Sequence, residues 1–304
     1  MRKQGFEVIK GAVPPELCEH LRKEALSTVA QKSSLGARVL RSLCGLSGMF
    51  AATTRPIRSP GHRSHVALTS LEPGSAAERA LQAAVVALKQ PLADHFSGLQ
   101  EQARLVELSY MVSFPGAEDQ KAHTDVPPDC RVPIATLWVA LQEVTRDMGP
   151  TMVHPCDPDD LAKQVDWGAA MVEADMRAAK ERQAVIYSSD GEPEVTDHHP
   201  ALPSRSPLPD SVEALELPPA VPLTMNVGDV ALIDCRAFHF GSANTSESPR
   251  VQLSATFEGG VREALQRGGR DTTPTTTPSG FTYELHSSLI NRFRLSTFSH
   301  ATRE

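Results

Sequence analysis

The chain is predicted to be mainly β with flanking helices, an antiparallel sandwich or jelly roll, and three observations predict it. From Leu105 onward the sequence is a series of short β-branched and aromatic runs, LVELSYMVSF, VPIATLWVALQEV, PLTMNVGDVALIDC and RVQLSATFE, bounded by Gly, Pro, Asp and Asn. Runs of this kind, spread through the last two thirds of the chain, suit antiparallel strands folded over one another. The composition, 304 residues with 40% hydrophobic and 22% charged, is that of a globular protein able to bury a core.

Taken in order, residues 5 to 12 (GFEVIKGA) alternate well enough for a short strand, and VPPELCEHLRKEALSTVAQ reads as a helix started by proline. Residues 33 to 74 are rich in Ser, Gly, Arg and Pro and carry Arg38, Arg41, Arg55, Arg58 and Arg63. That stretch reads either as a solvated loop or as an active-site rim that receives an anionic substrate. From Ala76 to Leu99 the spacing of Leu81, Val85, Leu88 and Leu92 predicts an amphipathic helix kinked by Pro91. The strands follow, with two interruptions. Residues 157 to 183 look helical, acidic at the start and basic at the end as the helix dipole prefers, and residues 188 to 222 are Pro-rich and polar, an irregular insertion or lid. A low-complexity tract at 267 to 280 precedes a final mixed segment. The expected organisation is a single domain over 1–304, with an insertion or lid at about 157–222 and a C-terminal extension at about 260–304.

The formal charge of −7 argues against a nucleic-acid partner, since phosphate binding needs a basic face. The five cysteines are odd in number, widely spaced and form no CxxC pair, which suits a reducing, intracellular compartment. The N-terminus has no apolar run of signal-peptide length, and no stretch of ~20 apolar residues is present to span a bilayer. The expectation is a soluble cytoplasmic protein with no membrane partner.

The chemistry is concentrated in two segments. In QKAHTDVPP, His123 and Asp125 are two apart, so on an extended strand end both side chains point the same way and can grip one ion. In VGDVALIDCRAFHFGSANTSESPR, His239 follows an apolar strand, where a sandwich can bring it back beside that pair. Two imidazoles and one carboxylate form the facial triad that leaves positions open on Fe(II) for a bidentate oxoacid and dioxygen. A His-x-Asp alone reads equally well as a surface loop pair. The order of strand, Gly-Asp turn, strand, histidine and then an arginine 11 residues on is much harder to obtain by accident. Arg250 opens RVQLSATFE, and its planar fork can take a carboxylate through two parallel charged bonds. Alone it reads as a strand-end arginine in solvent; behind His239 it is the candidate partner of the C5 carboxylate of 2-oxoglutarate.

At these residues the sequence resembles the phytanoyl-CoA dioxygenase family of iron and 2-oxoglutarate oxygenases, over roughly residues 5 to 30 and 105 to 257. GFEVIKGAVPPELCEHLR is similar to the family's opening strand and helix, SFPGAEDQKAHTD to its approach to His-x-Asp, and LWVALQEVTRDMGPTMVHP to the strand and Gly-Pro turn that follow. GDVALIDCRAFHFGSANTSESPR matches the distal histidine, its loop and the arginine together. One departure stands out: HPCDPDD replaces the family's Pro-Gly-Ser-His element, which loses no metal ligand and leaves His154 as a wall or turn residue.

The resemblance implies a double-stranded β-helix, a jelly roll that holds iron at its open end. It also implies that Trp138 and Tyr110 line the cofactor pocket, core aromatics being the other reading, and it makes Thr151 and Gln120 polar candidates near the oxoacid or substrate. The implied reaction is oxidation of an unactivated C–H bond of a small molecule with release of succinate and carbon dioxide. Since Asp125 keeps the carboxylate that halogenating relatives replace, hydroxylation is favoured, with desaturation or oxidative cyclisation open to the same triad. Acyl-CoA thioesters and free metabolites are both substrates within such a family. The competing expectations are a cupin-like metal- or ligand-binding protein without turnover, and a cupin-type iron dioxygenase that uses no oxoacid.

Overall fold

A computed structural model describes residues 3–33, 56–57, 62–68, 71–97, 101, 103–164, 215–259 and 293–298. The strands are β1 (Phe6–Ile9), β2 (Pro56–Ile57), β3 (Arg63–Ala67), β4 (Arg104–Ser113), β5 (Ile134–Ala140), β6 (Thr151–Val153), β7 (Val221–Pro222), β8 (Val230–Asp234), β9 (His239–Gly241) and β10 (Arg250–Glu258). The helices are α1 (Pro15–Ser33), α2 (Ala76–Ala87), α3 (Lys89–Phe96), α4 (Pro158–Leu161) and α5 (Leu295–Phe298).

Two antiparallel sheets form. The larger runs β1-β8-β5-β10-β4-β3-β2 and the smaller β7-β6-β9, which a bridge between His123 and His239 extends beyond β9. From β4 on, the chain passes repeatedly from one sheet to the other. The central strands β8, β5, β10 and β4 thus form one wall of a jelly roll, and β7, β6, β9 and the His123 bridge form the other. This is the double-stranded β-helix expected.

Period-2 alternation decides which side chains each wall presents. On β10, Val251, Leu253, Ala255 and Phe257 join a core with Leu21 and Ala25 of α1, Leu81 and Ala84 of α2 and Phe96 of α3. The opposite face of the same strand carries Arg250, Gln252, Ser254, Thr256 and Glu258, and all five are buried as well. A second apolar cluster lies between the walls, where Trp138, Ala231 and Ile233 of the large sheet meet Val153, Leu223 and Met225. The polar face is partly satisfied by its own network. Glu107 accepts hydrogen bonds from Ser109 (2.7 Å), from the His65 imidazole (2.9 Å) and from Thr256. Burial works against the Glu107 charge, yet those bonds outweigh it and hold its carboxyl below the usual range.

Asp229 ties the N-terminal segment to the strand that leads to the distal histidine. It accepts from Gly11 N (2.8 Å), Asn226 N (2.7 Å) and Lys10 Nζ (2.9 Å), and these bonds offset its burial and keep its pKa low.

The helix expected over 76–99 is two helices. α2 starts on a Ser75 cap that accepts from Glu78 N (3.2 Å), and the chain turns at Leu88. Pro91 then occupies the first turn of α3, where an N–H has no acceptor within the helix. Part of the Arg-rich stretch is strand: Arg63 lies on β3, paired to β4, while Arg38, Arg41, Arg55 and Arg58 lie outside the described residues. Of the helix expected over 157–183, α4 (Pro158–Leu161) is described; 165–183, and 188–214 of the expected lid, lie outside.

Candidate metal centre

His123, Asp125 and His239 come together as expected: their ligand atoms all lie within 4.8 Å of one another. The backbone fixes this. His123 N donates to His239 O and His239 N to His123 O, both at 2.9 Å, which clamps the two histidines across the edge of β9. Asp125 N donates to Cys235 O (2.8 Å), so the carboxylate is held from the end of β8. The imidazole centroids are 4.6 Å apart, and His239 Nε2 stands 3.8 Å from Asp125 Oδ1.

Each ring is fixed in one tautomer by a backbone carbonyl. His123 Nδ1 lies 2.8 Å from Lys121 O and His239 Nδ1 3.0 Å from Ala237 O. A carbonyl only accepts, so both Nδ1 atoms carry the proton and Nε2 is the basic nitrogen, the arrangement that a ligating histidine needs. Trp138 meets the His239 ring edge-on at 5.6 Å and donates from Nε1 to Ser254 Oγ (3.2 Å), packing the ligand against the large sheet.

Arg250 starts β10 opposite Ser113 and is 3% exposed. Its guanidinium donates to Gly149 O, and its Nε is buried without a hydrogen-bond partner among the described residues. Burial, and secondly the nearby Arg63 cation, pull its pKa down to about 9. Such a cation calls for an anion. Arg63, across Ser113 from it on β3, donates to Ser113 Oγ (3.1 Å), Glu118 O (2.8 Å), Gly241 O (3.1 Å) and Ser242 O (2.7 Å). Glycine is required at one of two crowded points here. Gly149 has φ +70°, and a Cβ there would strike Ser242 O. At Gly241 a Cβ would stand 2.6 Å from Gln120 Oε1 and 2.8 Å from Arg63 Nη1.

The remaining sequence candidates divide. Thr151 is buried on β6 opposite Gly241, on the same face as Val153, and so lies on the inner wall. Gln120 serves the backbone: its Oε1 accepts from Gly241 N (2.8 Å) and its own N donates to Gly241 O (2.9 Å), which tethers the end of β9. Tyr110 is on the other side of the sheet from Trp138. It packs in the core under the helices, where burial first and the Glu24 carboxylate of α1 second raise its pKa. Strand parity is the reason, because Tyr110 shares its face with Leu108 and Val112 while Glu107, Ser109 and Ser113 face inward. His154 lies outside the three-ligand cluster and packs beside Phe240, its Nδ1 donating to Pro218 O (2.7 Å). Sequence reasoning did not single out Gln252 or the His65–Glu107 pair. The signal was present in RVQLSATFE, whose polar residues recur at every second position.

Fold and site together define a jelly roll of the facial-triad class, with two histidines and a carboxylate grouped so that they could hold one metal ion, and a buried arginine in the same barrel. The profile of the phytanoyl-CoA dioxygenase (PhyH) family matches residues 1–251. The chain belongs to that family and is an iron- and 2-oxoglutarate-dependent dioxygenase. Among solved structures, it is similar to the epimerase SnoN in complex with Fe3+, alpha ketoglutarate and nogalamycin RO, at 17% identity over 89% of this chain and 88% of that one (TM-score 0.48). The non-haem alpha ketoglutarate dependent carbocyclase SnoK from nogalamycin biosynthesis matches at 17% identity over 88% of each chain (TM-score 0.49). HygX from Streptomyces hygroscopicus, with nickel, 2-oxoglutarate and hygromycin B bound, matches at 11% identity over 84% of each (TM-score 0.45). No curated protein matches the chain. Among the described residues no helix is long and apolar enough to cross a membrane.

Proposed function

We propose that this dioxygenase hydroxylates an unactivated C–H bond of a small-molecule substrate, with His123, Asp125 and His239 holding Fe(II) and Arg250 holding the C5 carboxylate of 2-oxoglutarate. The observation that carries the reading is the pairing, in one barrel, of a complete two-histidine, one-carboxylate cluster with a buried arginine whose charged neighbour is another cation. A protein that merely bound a metal would have no use for that cation. Bound iron, with the oxoacid and dioxygen, supplies the oxidising power for C–H cleavage.

The chain's own residues do the rest. The paired backbone bonds between His123 and His239 set the ligand face, and the two Nδ1–H donations hold both Nε2 atoms ready for metal. Asp125 contributes a carboxylate where a halide would otherwise have to bind, which favours transfer of oxygen over halogenation. Trp138 keeps His239 from rotating and closes the wall behind it. Gly149 O fixes the Arg250 fork at the start of β10, so the carboxylate is received at a defined distance from the ligand face. The apolar cluster around Trp138, Val153 and Ile233 keeps water from the interior between them.

The test is an anaerobic titration of the Fe(II) protein with 2-oxoglutarate, followed by a metabolite screen under oxygen read by mass spectrometry. The expected results are a new metal-to-oxoacid absorbance, substrate-dependent succinate, and a product heavier by one oxygen atom. A product lighter by two hydrogens would replace hydroxylation with desaturation or ring closure, and turnover indifferent to 2-oxoglutarate would overturn the reading.

A further inference from the structure

Gln252 stands on β10 two residues after Arg250 and two before Ser254, so the three side chains share the inner face. It is 1% exposed, and among the described residues neither Oε1 nor Nε2 has a hydrogen-bond partner. Its ladder neighbours are Met111 on β4 and Ala140 on β5, which offer no polar side chain. A buried amide with both ends unsatisfied is an expensive thing to keep in a barrel that elsewhere satisfies Glu107 three times over. The Arg250 Nε beside it is in the same condition.

Position gives the amide a use. Residues on one face of a strand are about 6.6–6.8 Å apart, so Arg250, Gln252 and Ser254 form a line along the wall. Ser254 receives Trp138 Nε1, and Trp138 touches His239. An oxoacid with its far carboxylate on Arg250 and its chelating end beside His239 must therefore run past Gln252.

We propose that Gln252 is a co-substrate-binding residue: Nε2–H donates to a carboxylate oxygen of 2-oxoglutarate, and Oε1 accepts from Arg250 Nε–H. This arrangement gives a partner to all three orphaned atoms. It rests on the reading of Arg250 as the oxoacid's partner.

The test measures 2-oxoglutarate affinity by anaerobic absorbance titration of the Fe(II) protein, and melting temperature without the oxoacid, in the parent, Arg250→Ala, Gln252→Leu and Gln252→Met. The two Gln252 variants keep the volume and remove the amide. They are expected to bind 2-oxoglutarate about tenfold more weakly, the loss of one charged hydrogen bond. They should retain iron and melt no lower than the parent without the oxoacid, because they remove an unsatisfied group. A merely structural amide would give the opposite pattern, with a lower melting temperature and parental affinity. If Arg250→Ala binds weakly while both Gln252 variants bind at parental affinity, this proposal is overturned and the reading of Arg250 stands. If Arg250→Ala itself binds at parental affinity, both fall.

Discussion

Replacing Arg250 with alanine isolates the oxoacid half of the site from the metal half. Arg250 donates to Gly149 O and is otherwise a buried charge acted on by Arg63, so removing it strands only one carbonyl and relieves a like-charge repulsion. The folded protein without 2-oxoglutarate should lose little stability. Binding is different, because the proposed charged contact to the oxoacid carboxylate would be worth about 1.5–3 kcal/mol. At about 1.4 kcal/mol per factor of ten, 2-oxoglutarate affinity should fall about 10- to 150-fold. The assay is anaerobic titration of the Fe(II) protein, with iron content measured on the same samples. Affinity should drop while iron stays stoichiometric. A variant that binds the oxoacid like the parent would refute the reasoning, and one that also loses iron would show that Arg250 supports the metal cluster.

Alanine at His123, Asp125 or His239 should abolish turnover and sharply weaken iron binding, since two ligands no longer define a face; metal analysis after dialysis checks this, and full turnover by any of the three under limiting iron would count against the triad. Gly149→Ala should destabilise the protein by about 1–2 kcal/mol or more, because a left-handed residue gains a Cβ against Ser242 O, and the displaced Gly149 carbonyl should weaken 2-oxoglutarate binding in the same titration. Asp229→Asn should cost about 1.5–3 kcal/mol through loss of charged acceptance, a fall of roughly 3–12 °C in melting temperature. Its pH sign follows from the depressed carboxyl: the folded form holds the proton less tightly than the unfolded chain, so the stabilisation is full above the ordinary aspartate value of about 3.9 and fades as pH falls below it. Parent and variant should therefore converge in acid unfolding curves, and a constant gap down to the lowest pH would assign the effect to packing.

Much of the arrangement was legible because the candidate metal ligands and the arginine lie close to strand ends in a recognisable order. His123 and Asp125 share a face by spacing alone, and the bridge from His123 to His239 is what a jelly roll had to supply. Parity was not legible. On a sheet covered by helices on one side and by a second sheet on the other, both faces are buried, so alternation no longer tells inside from outside. The family resemblance placed Tyr110 in the cofactor pocket with a core aromatic as the other reading, alternation could not choose between them, and Tyr110 packs under α1. The polar residues of RVQLSATFE suggest a solvent face by composition, yet all of them are buried. The short strands β6 and β9 span three residues each, too few to show periodicity, although they carry Thr151 and His239. Arg63 was hidden by its surroundings, since a Ser-, Gly- and Arg-rich stretch reads as loop until the pairing of β3 with β4 is known.

The barrel interior is organised as a gradient of charge. At one end the three-residue cluster carries the Asp125 carboxylate and two imidazoles whose Nδ1 atoms are held by backbone carbonyls, a set that favours a divalent cation over a bare anion. At the other end Arg250 and Arg63 bring two cations close together, with Arg63 bound to Ser113 and three backbone carbonyls and Arg250 to a single carbonyl. Neither end suits the other's ligand, because a lone dicarboxylate would meet Asp125 and a lone metal ion would meet the arginines. On the proposed assignment they would be complementary: a metal at the triad would cancel the repulsion that Asp125 would exert on a chelating carboxylate, and the oxoacid's far carboxylate would cancel the repulsion between the two guanidiniums. Each ligand would then strengthen the site for the other. Binding energy gained at Arg250, remote from the reacting atoms, would then serve to orient the chelating end toward the triad.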